Sequence, residues 1–135
     1  MSLIVPAQFP GFSQLLFKLI GANMNVTTDQ LMSVIGGSLP AAYMIDAIRV
    51  ANASISLDTA AGGVYTAITK PAGGIIVAAA QAYSDLTGPT LALDLTLTAL
   101  GKAIRSTAPY FSLTTAQGAA ATADIYVFGR VMTGV

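Results

Sequence analysis

Cysteine, histidine and glutamate are absent from the chain, and charged residues of any kind are scarce. Without cysteine there can be no disulfide and no thiolate metal site. Without histidine the usual general base is missing, and a Ser-His-Asp triad cannot be built. A Ser-Lys dyad would need Lys18, Lys70 or Lys102 to be buried with a depressed pKa, and no pattern around them signals it. The acids Asp29, Asp46, Asp58, Asp85, Asp94 and Asp124 are isolated rather than spaced as D-x-D, so neither a calcium loop nor a two-metal centre is indicated. The expectation is a protein that is not an enzyme and takes no cofactor and no metal.

Only 9% of residues are charged, against about 25% in an ordinary soluble domain. The six acids cancel the six bases, and the bases Lys18, Arg49, Lys70, Lys102, Arg105 and Arg130 are spread along the chain. A nucleic-acid groove or an anionic membrane surface needs clustered cations, so neither partner is expected. A free monomer usually covers itself with about 25–35% charged residues, whereas the centres of protein interfaces are depleted in charge. The scarcity favours a stable homo-oligomer over a monomer coated in Ser, Thr and Ala.

Hydrophobic residues make up 54% of the chain and mean hydropathy is +0.70, yet no uninterrupted apolar run reaches the roughly 18 residues of a transmembrane helix. The longest candidates, 15–24 and 73–83, are broken by Lys18, Asn23 and Gln81. The first lysine is Lys18, inside apolar sequence, so a soluble chain without a cleaved export signal is expected.

What is present is period-two alternation. In residues 91–97, Leu91, Leu93, Leu95 and Leu97 share one face of a strand and Ala92, Asp94 and Thr96 the other. Residues 124–132 place Ile125, Val127 and Val131 opposite Tyr126, Phe128, Arg130 and Met132. With both faces largely apolar, that strand should be central or face a partner. Further strands are expected at 13–20, 43–50, 53–58, 64–69, 75–78 and 110–114. Turn signals divide them: Gly36 and Gly37 with Pro40, Gly62 and Gly63, Pro71 with Gly73 and Gly74, Gly88 with Pro89, and Gln117 with Gly118.

Two segments stay open between strand and helix. Residues 31–35 follow a capping-box pattern at Thr27 and Gln30 but lean to strand, and residues 79–86 are alanine-rich with Ala79, Ala80 and Tyr83 at helical spacing. About eight closely spaced strands predict an all-β fold, an antiparallel β-sandwich of jelly-roll type with at most one short helix. At 135 residues one domain is expected, spanning 13–135.

Residues 1–12 are expected to form an extended N-terminal arm, because Pro6 and Pro10 block a helix. Its apolar side chains need cover, either on a neighbouring subunit or on the arm's own domain. The candidate interaction residues are Ile4, Val5, Pro6, Phe9, Pro10 and Phe12 in the arm, with Tyr126 and Phe128 in the last strand. The glycine-containing stretch from Lys70 to Gly74 is not a phosphate loop, since its lysine lies on the wrong side and Pro71 removes a donor. Asn25 and Asn52 stand in glycosylation patterns that carry no weight without an export signal.

Residues 50–54, 61–66, 81–87 and above all 110–129 give the chain a resemblance to small structural proteins of tailed bacteriophages, most like capsid cement or decoration proteins. The resemblance implies a virion component on the outer capsid surface that trimerises and binds the major capsid protein. It implies no residue roles. A tail-fibre or receptor-binding module, with a pocket or aromatic patch at one end, is the alternative, and a ligand-binding barrel with an internal cavity is a third.

Overall fold

The computed structural model describes residues 13–132, so the expected arm, with Ile4, Val5, Pro6, Phe9, Pro10 and Phe12, lies outside the described residues. Nine strands follow in order: β1 (Gln14–Asn23), β2 (Gln30–Leu31), β3 (Ser33–Val34), β4 (Tyr43–Ala51), β5 (Ala61–Tyr65), β6 (Ile75–Val77), β7 (Ala92–Asp94), β8 (Tyr110–Thr115) and β9 (Thr122–Val131). They form a five-stranded sheet, β3-β1-β9-β4-β7, and a four-stranded sheet, β2-β8-β5-β6. Every pairing is antiparallel.

With β3 set aside, the remaining eight strands pair first with last (β1 with β9), second with seventh (β2 with β8), third with sixth (β4 with β7) and fourth with fifth (β5 with β6). That nesting is the connectivity of a jelly roll, as the strand count suggested. β2 and β3 are one crossing segment. Leu31 pairs with β8, Val34 pairs with β1, and the buried Met32 between them carries the chain from one sheet to the other.

The core lies between the sheets, and alternation fills it. β9 buries Ala123, Ile125, Val127, Gly129 and Val131 while Asp124, Tyr126, Phe128 and Arg130 are half-exposed. Ile48 and Val50 of β4, Phe17 of β1, Val64 of β5 and Phe111 and Leu113 of β8 join the same cluster. β1 and β4 each carry a bulge, between Leu15 and Phe17 and between Ile45 and Ala47, on either side of β9. Gly129 lies opposite Ile45, where the β4 bulge begins, and a Cβ there would stand 2.1 Å from the Met44 carbonyl oxygen. Only glycine leaves room there for the β4 backbone and the Leu16 side chain of β1, which would stand 2.8 Å from the same Cβ.

Several expectations are corrected. Residues 53–58 are not a strand: Asn52 adopts a left-handed φ of 56°, and Ala53 and Leu57 enter the core from irregular backbone. The strand expected at 64–69 ends at Tyr65, and residues 66–69 turn instead, with Thr69 and Lys70 left-handed at φ of 65° and 49°. Gly62 and Gly63 lie inside β5 rather than in a turn. Their added Cβ atoms would meet Leu113 Cα at 2.3 Å and the Val77 carbonyl oxygen at 2.0 Å.

In the leucine run, only Ala92–Asp94 is strand. Leu95 is 6% exposed, Leu93 and Leu97 are partly buried, and Leu91 is 43% exposed because it precedes the ladder. Residues 79–86 are neither strand nor helix; they form turns that bury Tyr83 and Leu86. Among the described residues the only helical pieces are three-residue 3-10 turns at Ile35–Gly37, Ala72–Gly74 and Leu100–Lys102. None is long and apolar enough to cross a membrane.

Candidate interaction surface

The two sheets differ on their outward sides. Tyr65 and Ser112, which alternation places on the outer side of the four-stranded sheet, are buried by the chain's own loops. Asp29, in the β1–β2 loop, ties that cover down. Its carboxylate accepts the Ser112 hydroxyl at 2.8 Å and the Thr69 N–H at 2.8 Å, while Lys70 Nζ donates to the Thr27 carbonyl at 2.7 Å. The Thr69 N–H, then the Ser112 hydroxyl, hold the Asp29 carboxyl below its ordinary pKa. The capping-box reading fails for the same stretch. Gln30 uses its side-chain amide to bridge the Asn23 backbone N–H and carbonyl, both at 2.9 Å.

The outer side of the five-stranded sheet has no such cover from the described loops. Tyr126 and Phe128 of β9 lie at its middle, half-exposed, as a two-sided central strand should. Pairing puts Lys18 and Arg49 on either side of Tyr126, and Leu15 and Ala47 on either side of Phe128. The Arg49 guanidinium stands 5.8 Å from the Phe128 ring centroid and binds Asp94 at 2.7 Å. Arg49 in turn holds the Asp94 carboxyl below its ordinary pKa, chiefly by hydrogen bonding. Arg130 forks onto Asp46, the closest contact being 3.0 Å. The face is therefore aromatic at its centre, with two of its cations already paired.

A second apolar surface was not foreseen. Leu31, Thr66, Ala67, Ile68, Thr107, Ala108 and Tyr110 line an open groove of about 470 Å³ at one end of the four-stranded sheet. Leu31 is 54% and Ile68 56% exposed. The strained turn at Thr69 and Lys70, held by Asp29, fixes Ile68 at its rim. In the sequence, Leu31 lies in a stretch open between strand and helix, and Ile68 and Tyr110 lie in the expected strands 64–69 and 110–114. Among the described residues, no group of three or more carboxylates comes together to hold a metal.

No protein-family model, no curated protein and no solved structure matches this chain.

Proposed function

We propose that this chain is a non-enzymatic structural protein of a virion: a capsid cement or decoration protein that lies on the outer shell as a homotrimer and bridges copies of the major capsid protein. The observation that carries the reading is the outer face of the five-stranded sheet. There Leu15, Tyr126 and Phe128 are half-exposed, and Arg49 and Arg130 are neutralised by the chain's own Asp94 and Asp46. An aromatic centre with few free charges is what protein interfaces favour. The charged fraction of 9% supports the same reading, as does the resemblance of residues 110–129 to phage structural proteins. Three attachment points per trimer would let individually weak contacts hold the shell together.

Gold-labelled antibody against the chain, imaged on intact particles, tests the placement: label over the heads supports it. Label at the tail tip would replace it with a second reading, a receptor-binding or adhesion module, which the open apolar groove at one end of the sandwich favours. Particles without label would remove both. The oligomer is checked by sedimentation at micromolar concentration, where a clean monomer of 13.7 kDa, unchanged by salt, would overturn it.

A further inference from the structure

The groove opens at the end of the sandwich where the chain enters and leaves it. Gln14, the first residue of β1, pairs with Gly129, and Tyr43 pairs with Val131 close by. The Met132 N–H donates to the Ala42 carbonyl at 2.9 Å, and the Tyr43 N–H to the Arg105 carbonyl at 2.9 Å. The Tyr43 hydroxyl then donates to the Thr107 carbonyl, and Thr107 lines the groove. Twelve residues precede Ser13 at this end. They carry no charge and include Leu3, Ile4, Val5, Phe9 and Phe12. The groove lining is uncharged as well.

The groove also offers backbone. β2 is the edge strand of its sheet, with Gln30 opposite Phe111 and Leu31 opposite Tyr110, and the Met32 N–H donates to the Pro109 carbonyl at 3.1 Å. Hydrogen-bonded positions alternate along an antiparallel edge, so the N–H and C=O of Leu31 point away from β8 toward the open side. An extended apolar segment is the ligand such an edge takes. Pro6 and Pro10 bias residues 1–12 toward extended backbone.

We propose that this groove receives residues 1–12 of a second copy of the chain, laid along β2 with apolar side chains seated between Leu31, Ile68 and Tyr110. One segment and one groove per copy make a head-to-tail contact, and a rotation of a third of a turn between copies closes such contacts into a trimeric ring. The inference rests on the homo-oligomer part of the function proposed above. Asp29 acts as a positioning residue, since its bond to the Thr69 N–H holds the turn that presents Ile68.

Because the chain has no cysteine, introduced thiols can bridge only to each other. Full-length Phe9→Cys and full-length Ile68→Cys chains are mixed at micromolar concentration, allowed to exchange subunits and oxidised; the Phe9→Cys, Ile68→Cys double variant is oxidised in parallel. Both products are read on denaturing gels. Seating raises the local thiol concentration from micromolar to about millimolar, so the mixture should bridge up to about a thousandfold faster than Phe9→Cys with Thr59→Cys. Thr59 is exposed in a separate loop held by Gln117. The double variant should give covalent multimers ending at trimer. A double variant that bridges only within single chains would assign the groove to its own segment and overturn the proposal. So would an intact oligomer without bridges, which leaves the oligomer reading standing. A wild-type chain that sediments as a monomer under the same conditions would bring down both.

Discussion

Asp29→Ala and Asp29→Asn should weaken the cover of the four-stranded sheet by different amounts, and the difference should depend on pH. The carboxylate accepts one bond from the Thr69 N–H and one from the Ser112 hydroxyl, each at 2.8 Å. Hydrogen bonds to a charged partner contribute about 1.5–3 kcal/mol each, and partial exposure of Asp29 places these at the low end. Alanine removes both and leaves the buried Ser112 hydroxyl unpaired, so it should cost about 2–3 kcal/mol. Asparagine keeps one acceptor oxygen and should cost about half as much. The folded pKa of Asp29 lies below the ordinary value. Its contribution is therefore complete above the unfolded pKa of about 3.9 and is lost as pH falls through the folded value. Urea unfolding at pH 7 should separate wild type from Asp29→Asn, and the gap should narrow in acid, below the unfolded pKa. A gap of equal size at both pH values, or none at pH 7, would refute the assignment of Asp29 as an ionised tie.

Leu95→Ala should cost about 2–5 kcal/mol in equilibrium denaturation, while Leu91→Ala, at an exposed site, should cost less than about 0.5 kcal/mol; equal costs would mean the strand is out of register. Asp94→Asn should behave like Leu91→Ala, since the Asp94–Arg49 pair is solvent-exposed. Gly129→Ala should lower the melting temperature by the equivalent of about 3 kcal/mol, because its Cβ would overlap the Met44 carbonyl at the β4 bulge. An unchanged melting temperature would remove the close approach that the bulge implies.

Composition and alternation located regular strands at the centre and at the edge of a sheet alike: edge strand β6 is Ile75–Val77 against an expected 75–78. β4, β8 and β9 match the expected 43–50, 110–114 and 124–132 to within two residues at each end. The readings that failed at 53–58 and 79–86 involve residues whose apolar side chains reach the core from irregular backbone rather than from a strand. Ala53 and Leu57 are buried, as an expected strand would be, but beyond a left-handed Asn52. Gly62 and Gly63 failed for another reason. Glycine marks either a positive φ or a close approach, and composition does not distinguish them. Tyr126 and Phe128 were legible because a strand with two apolar faces is visible locally. The groove was not, because Leu31, Ile68, Thr107 and Tyr110 come from separate stretches joined only by the fold, and Asp29 and Ser112 lie 83 residues apart.

The nesting of the jelly roll explains which surfaces escape a local reading. When the first strand pairs with the last and the second with the seventh, the start of β1, the end of β9 and the β2–β8 corner are drawn to one end of the sandwich. Any surface at that end is assembled from the start, the middle and the close of the sequence. A sheet face, in contrast, repeats every second residue and declares itself in each strand. Substitutions that map a partner on this chain should therefore be grouped by position in the fold. Leu31→Ser, Ile68→Ser and Tyr110→Ser form one set, and Leu15→Ser, Tyr126→Ser and Phe128→Ser the other. If the end groove joins copies while the sheet face meets the shell, the first set should lower the oligomer mass in sedimentation and the second should reduce attachment to particles with the oligomer intact. Loss of both properties by both sets would mean that one continuous interface serves them, and the division between groove and face would have to be abandoned.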